Sequence, residues 1–516
     1  MRLFLDTPDG PISLDAPEEE ALSRAIWLRA ELSAPPLCSG LGHCGLCRVR
    51  FMPAEQAPPP LDVEHNILGA AVEAGWRLAC HHAAKTADGL TVAVPPGTVA
   101  GAEIFVPQSL SGTLRLAVDL GTTSIHWQAL GEQGLPVAHG RERNPQCGAG
   151  TEVMSRLAAA VTPDGRAALS ALVRGVVNRV IVGLEAAGAQ VGEICLAANP
   201  AMTAIFLNLD ISGLLAAPYA LPLRGGETVT LPGLPPIWLP TQPAPFVGGD
   251  ASAAMAWALH AGTPFPFLLA DMGTNGECVL ALDARTALIT SVPLGPALEG
   301  IGLACGALAG PGSITAFSLN PEGLVPAVMG GGKPRGLCGT GVLSLLDALL
   351  RMHVLTPAGT LGSPCLPLGK RLRAAVRPSS EGWRLPLSPA HEDLFLSVND
   401  VEAVLKVRAA FVLAVQTLLD AAGLRPADVR SMLLAGSLGE HAPLDVLEHL
   451  GFIPQSLAAR TWAIGNAALH GAALLARQPE WRSHLMEWNA GCRLVDTASL
   501  PDFMARYADA MRLEPL

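Results

Sequence analysis

Apolar and polar residues alternate over Arg2–Asp6, Thr7–Gly10 is built of turn formers, and alternation resumes over Pro11–Ala16, which predicts a two-stranded hairpin. The period then lengthens. Glu18–Leu32 opens with acids and carries apolar residues at helical intervals, so it predicts a helix. Arg48–Met52 alternates as a strand, Leu61–Ala74 follows a proline-rich loop with helical spacing, and Leu90–Val94 reads as a last strand. The next stretch, Pro95–Gly112, is rich in Pro, Gly and Ser, nearly uncharged, and reads as a linker. From about Thr113 long apolar strands separated by amphipathic helices predict an α/β architecture. The organisation is therefore a small α+β unit over 1–95, a linker over 96–112 and an α/β region over 113–516. There is no short tandem repeat, but a strand ending in Asp-x-Gly-Thr occurs twice, which suggests a duplicated fold.

Composition narrows the functional classes. Half of the 516 residues are hydrophobic and 15% charged, as in a globular chain with a large core. A formal net charge of −11, with few Tyr and Phe, argues against nucleic acid as a partner. No run of 18 apolar residues escapes a charge, Gly or Pro, so no membrane partner is expected. The hairpin begins at once, which leaves no room for a signal peptide. Seven scattered cysteines (147, 195, 278, 305, 338, 365 and 492) read as reduced core thiols of a cytoplasmic protein.

The other four cysteines are patterned. Cys38, Cys44 and Cys47 are separated by five and two residues, and Cys80 follows 32 residues later. This spacing suits a 2Fe–2S cluster, with three thiolates from one loop and a fourth from a distant segment on the other iron. Gly40, Gly42 and Gly45 let the loop fold tightly. A zinc site would offer paired knuckles, and a Rieske centre would need His at a C-x-H spacing that His43 and His81 do not supply. The unit resembles plant- and adrenodoxin-type ferredoxins, with the wider first gap of the latter, which implies a β-grasp fold.

Two segments, LRLAVDLGTTSI and FLLADMGTNGECVL, each deliver an Asp to the end of an apolar strand before a Gly-Thr turn. Such hairpins can cradle phosphate with turn N–H and hydroxyl groups while the acid reaches a magnesium ion. The candidates are Asp119, Gly121, Thr122 and Thr123 in the first, and Asp271, Gly273, Thr274, Asn275 and Gly276 in the second. No P-loop is present. The pair resembles the actin-like (ASKHA) ATPases, such as sugar kinases, acetate kinase, heat-shock chaperones and actin, which implies two ribonuclease-H-like subdomains closing over Mg-ATP. In that frame MLLAGSLGE, with Gly436 and Gly439, resembles the adenosine-binding strand and turn. GNAALHGA, from Gly465, looks like the small-residue hinge helix. Asp250, in FVGGDASAAM, is a candidate general base or water-orienting group and a candidate helix cap.

Further segments, including NPQCGAGTEVMSR (Asn144–Arg156), ANPAMTAIFLNLD, GPALEGIGLACGALAGPGSI and GLCGTGVLSLLDALL, resemble the reductive activators of corrinoid-dependent enzymes. That resemblance implies ATP-dependent reduction of Co(II) to Co(I) in the corrinoid protein of a methyltransferase system. It also implies a low-potential electron donor, a homodimer, and a ferredoxin unit that swings on Pro95–Gly112. Longer members carry another domain after the ferredoxin, where this chain has only the linker. Near Asp400 the family usually shows Gln and Lys, where this chain has Leu405 and Arg408. In the loop VMGGGKPR, Lys333 reads as a surface lysine. An ATP-coupled donor to another low-potential enzyme and a redox-regulated small-molecule kinase are the alternatives. The first is disfavoured because the cysteines lie outside the ATPase region, the second because Gly295–Ile314 is apolar.

Overall fold

The computed structural model describes the chain except residues 30, 31, 33, 34, 36, 39, 41, 43, 96–101, 322, 389 and 390. Part of the cysteine loop, including His43, and the first part of the expected linker, 96–101, therefore lie outside the described residues. In the N-terminal unit Arg2–Thr7 pairs antiparallel with Gly10–Asp15, and Thr91–Ala93 lies parallel beside the first strand. Arg48–Met52 and Trp76–Leu78 complete five strands in the order second, first, fifth, third, fourth. This is the mixed sheet expected of a β-grasp. Alternation puts Leu3, Leu5, Val49, Phe51 and Val92 into one apolar core with Cys47.

The expected helix over Glu18–Leu32 is where periodicity misleads. Ala21 bridges to Ala83 and the Leu22 N–H donates to the His82 carbonyl, so the chain is tethered like a strand until residue 22. Only Leu22–Arg24 is α-helical, and Ala25–Arg29 winds as a π-helix. The wider turn buries two adjacent large residues, Trp27 and Leu28.

The α/β region contains two sheets of like topology. In the first, the antiparallel meander Thr113–Leu120, Ser124–Leu130 and Pro136–Arg143 takes Gln190–Ala197 as a parallel neighbour on its first strand. In the second, Phe267–Met272, Asn275–Ala281 and Ala287–Pro293 take Ser431–Ala435 in the same way. The duplicated fold read from the two Asp-x-Gly-Thr strands is this repeat. The first sheet has a seventh strand that pattern missed: Glu103–Phe105, inside the expected linker, pairs with His139–Arg141, and Phe105 stacks on His139. Leu110 N–H also donates to Ala187 O at 2.7 Å. Three residues of that segment are thus sheet edge and Leu110 is pinned, which shortens any tether for the N-terminal unit. One helix, Pro163–Ala186, is long and apolar enough to cross a bilayer by length and composition. Its Val173, Val176, Val177 and Val180 instead pack on the first sheet, as a core helix.

Two helices lie between the sheets, Gly249–His260 and Ala467–Arg477. Their core joins Ala117, Cys195 and Ala197 of the first sheet to Phe267, Leu269, Val279 and Leu433 of the second. A Cβ at Gly471 would stand 1.8 Å from the Ala253 carbonyl oxygen, so glycine is what lets the helices touch. GNAALHGA is thus the packing helix its sequence suggested. The long helix Val398–Ala422 carries Arg408, buried and donating to the carbonyls of Ala510 and Glu514 at 2.6 and 3.0 Å. Leu405 is buried in the core of the same lobe. The departure near Asp400 therefore serves packing of residues 503–516. Lys333 is exposed, as read.

Gly471→Ala should push these helices apart and lower stability by about 1–3 kcal/mol, measured by urea denaturation with the unmodified chain as reference.

Candidate functional site

The strand ends bring four carboxyl groups together where the two sheets face each other. Asp119 ends the first phosphate strand and Asp271 the second, opposite Ala197 and Ala435 of their parallel neighbours. Asp250 is the second residue of its helix, and its Oδ1 accepts from the Ala251 N–H at 2.8 Å. Both roles considered for Asp250 are thus compatible, since a carboxylate at a helix N-terminus is held by backbone dipoles while facing the other acids. Glu277, which the sequence reading did not single out, stands directly across from Asp271 on the returning strand and is buried. Its signal was the acid closing DMGTNGE.

Burial and proximity raise these groups together. Burial pushes Asp119 to about 7, opposed by a hydrogen bond from Asn466 and reinforced by Asp250 and Asp271. Asp271 is raised to about 7 by burial and then by Asp250, and burial raises Asp250 to about 6 against its backbone hydrogen bonds. Glu277 is held well above the usual carboxylate range by burial, then by Asp250 and Asp271. Among the described residues no three His, Cys, Asp or Glu side chains form a ready-made cation cage.

The two turns meet. Thr123 Oγ1 lies 3.3 Å from Thr274 Oγ1, which donates to Glu299 Oε1 at 2.7 Å. Glu299, buried and raised by desolvation, is balanced by those two hydroxyls and by Arg156 and Arg143. Thr122 Oγ1 accepts from Asn199 Nδ2 at 3.2 Å, and Asn466, the cap of the hinge helix, donates to Asp119 Oδ2 at 2.7 Å. Glu299, Asn199, Asn466 and Arg156 were missed as site residues, although each lies in a motif already noted. The glycines divide. A Cβ at Gly121 would strike Ser124 O at 2.6 Å, so that turn is tight, while one at Gly273 would meet nothing nearer than 3.5 Å. Gly436, with φ +82°, lies against Asp271 Oδ1, at the edge of the acid cluster. Gly276 packs on Leu294 and Gly439 on Leu434. A Cβ at either would strike its leucine, so both positions require glycine for packing. Asn275 opens the returning strand.

The cysteines form two pairs. Cys47 Sγ is 3.3 Å from Cys80 Sγ, and Cys44 is hydrogen-bonded to Cys38. The Cys44 thiol is pushed up by Cys38 and then by burial, and the Cys47 thiol by Cys80 and then by burial. Cys80 is lowered by the bond from Cys47. Two four-coordinate irons sharing two sulfides have two further positions each, so a cluster takes two thiolates per iron. The thiol contacts divide the set two and two, Cys38 with Cys44 and Cys47 with Cys80, which is the division such a cluster would take. A Cβ on Gly42 would lie 2.1 Å from His81 Nε2, so the loop needs glycine there.

Comparison with known proteins agrees with this geometry. Residues 266–515 match the model described as the C-terminal domain of RACo, the ASKHA domain, and residues 114–261 match the RACo middle region. What that description calls the middle region is the seven-stranded lobe, directly after the linker. The corrinoid activation enzyme RamQ of Eubacterium limosum is 27% identical over 293 residues, covering 54% of this chain and 48% of the relative. A reductase named for the Co(II) methylated amine-specific corrinoid protein of Methanosarcina barkeri is 28% identical over 247 residues, covering 43% and 41%. The chain thus spans about half the length, or less, of these curated relatives. The solved structure of a reductive activator for a corrinoid, iron-sulfur protein aligns over 99% of this chain and 98% of its own, with TM-score 0.68 at 19% identity. The fold, N-terminal unit included, is shared.

The raised carboxyls carry a sign. Asp271 ionises near 3.8 when unfolded and at about 7 when folded, so its stabilising protonated form is fully present below 3.8 and lost as pH rises through 7. Without nucleotide and magnesium, stability should therefore fall between about pH 4 and 7. Asp271→Asn should flatten that slope and raise stability at pH 8 by roughly 1–3 kcal/mol, read by denaturation across pH.

Proposed function

We propose that the chain, which matches the RACo models through residues 114–261 and 266–515, is an ATP-dependent reductive activator of corrinoid proteins. The observation that carries this reading is the join within one chain. A unit presenting two thiol pairs packs against the lobe that bears the first phosphate turn. The substrate is the Co(II) corrinoid of a methyltransferase system, returned to Co(I) by one electron, and an external low-potential donor recharges the protein.

In this reading the turn N–H groups and hydroxyls of Gly121–Thr123 and Gly273–Asn275 hold the ATP phosphates. Asp119 and Asp271 take the magnesium, and Asp250 orients the attacking water. Gly436, beside the second turn, presents bare backbone toward the nucleotide. Cys38, Cys44, Cys47 and Cys80 would hold a 2Fe–2S cluster, which supplies a one-electron donor near about −400 mV. Reducing Co(II) from there is uphill by ~100–200 mV, or roughly 2–5 kcal/mol, within the reach of nucleotide-driven closure. That coupling requires the protein to bind the two cobalt states with different affinity. None of the eleven cysteines is in a disulfide, which suits a reducing, cytoplasmic setting.

The test is an anaerobic mixture of the protein, a Co(II) corrinoid protein and a moderate reductant, with and without Mg-ATP, followed at the Co(I) absorption band. ATP-dependent Co(I) should form, and Cys44→Ser should abolish it while ATP binding persists. A reducible protein that turns over ATP yet yields no Co(I) with several corrinoid partners would overturn the assignment. Asp271→Ala should do the reverse of Cys44→Ser, losing ATP turnover by at least about 100-fold with the visible spectrum of the iron-sulfur unit intact.

A further inference from the structure

One short turn serves two sites. The carbonyls of Gly121, Thr122 and Thr123, the whole first phosphate turn, are held by a single segment. Asn144 Nδ2 donates to Gly121 O at 2.9 Å, Arg156 Nη2 to Thr122 O at 2.6 Å, and Asn144 N to Thr123 O at 2.9 Å. Between them the 3₁₀ turn Pro145–Ala149 is capped by Asn144 and clasped by Arg156, which donates to Gln146 Oε1 at 2.8 Å and Gly150 O at 2.9 Å. Gln146 is tied in turn to Leu169 O at 2.9 Å. Arg156 is fully buried and its planar fork spends donors on three backbone or amide oxygens.

The opposite side of this turn is the seat of the ferredoxin unit. Cys147 belongs to the same apolar core as Trp27, Leu37 and Cys47. A Cβ on Gly148 would lie 2.8 Å from Trp27 Cβ and 2.9 Å from its carbonyl oxygen, so backbone meets backbone there. Leu28, the next residue of the π-helix, is buried among Val153, Leu157, Ala160 and Ile205 of the lobe. Arg24 adds a hydrogen bond to Ala159 O at 3.4 Å.

The hydroxyls of Thr123 and Thr274 touch at 3.3 Å in this docked arrangement. A phosphate oxygen taken by both needs them about 4.5–5.5 Å apart, so nucleotide entry must part the two turns. Displacing Gly121–Thr123 drags three carbonyl bonds, and with them the turn on which Trp27 rests. We propose that Arg156 is a positioning residue that couples the two sites, so that nucleotide in the phosphate turns loosens the docked ferredoxin unit and docking weakens nucleotide binding. The inference rests on the proposed nucleotide site and gives its ATP a structural output, release of the thiol-bearing unit toward its acceptor. By linkage the two effects are equal in size.

The first measurement uses the unmodified full chain: amide hydrogen exchange of Ala25–Arg29 with and without a non-hydrolysable ATP analogue and magnesium. Exchange should quicken by about five-fold or more on binding; unchanged or slower exchange overturns the coupling. The second is a double-mutant cycle on analogue affinity, with the visible spectrum confirming an intact iron-sulfur unit. Leu28→Asp should tighten binding by about five-fold or more, and in an Arg156→Lys background by less than about two-fold. An equal gain in both backgrounds, or none in either, sinks the role of Arg156. If the unmodified chain fails to bind the analogue, the nucleotide site itself falls and the coupling with it; binding without a response at Ala25–Arg29 removes only the coupling.

Discussion

Four carboxyl groups within electrostatic reach of one another are an arrangement a folded chain resists, and the surroundings of Asp119, Asp250, Asp271 and Glu277 are organised around that strain. Bringing two strand ends so near demands that the helices between the sheets run nearly in contact, which Gly471 and the alanines of both helices permit. It also demands partners for whatever charge remains. Asn466 serves Asp119, the N-terminal turn of a helix serves Asp250, and the paired threonines with Arg143 and Arg156 serve Glu299. On the proposed function, a divalent cation would relieve the repulsion that protonation relieves in its absence.

How much of this the sequence disclosed depends on range. Asp119 and Asp271 were legible because a local signal, an apolar strand ending at Asp-x-Gly-Thr, occurs twice and each copy supports the other. Glu277 sat in plain view on the return strand but needed the hairpin register before it faced anything. Glu299, Asn466 and Arg156 act across 25 to 347 positions of chain, and no period within a window reports such a partner. Gly439 and Gly276 show a second demand on the same motifs, since a neighbouring leucine requires glycine at each.

The N-terminal unit teaches a similar lesson on a shorter scale. The spacing of the four cysteines identified the set, while only geometry paired them as Cys38 with Cys44 and Cys47 with Cys80. The helix expected over Glu18–Leu32 begins only at Leu22, because a bridge from Ala21 to Ala83 outcompetes helical propensity before it. What remains winds as a π-helix, and that irregularity is what places Trp27 and Leu28 against the neighbouring lobe. The freely swinging unit suggested by a Pro- and Gly-rich linker is, in the structure, a seated one, with Glu103–Phe105 of its tether paired into a sheet.

Arg408 leaves a mark on how the molecule comes into being. Its guanidinium is buried against the carbonyls of Ala510 and Glu514, about one hundred positions later, and Leu513 plugs the core of the same lobe. During synthesis the long helix Val398–Ala422 therefore emerges with a charged group facing an unfilled interior and must wait for its closing segment. The N-terminal unit and the first lobe, whose later partners are chiefly the hinge helix and Arg482, which pairs with Glu193 at 2.8 Å and lies over Trp238, can begin to assemble earlier. The half of the chain that bears the two thiol pairs can thus begin to fold before the half that completes the acid cluster.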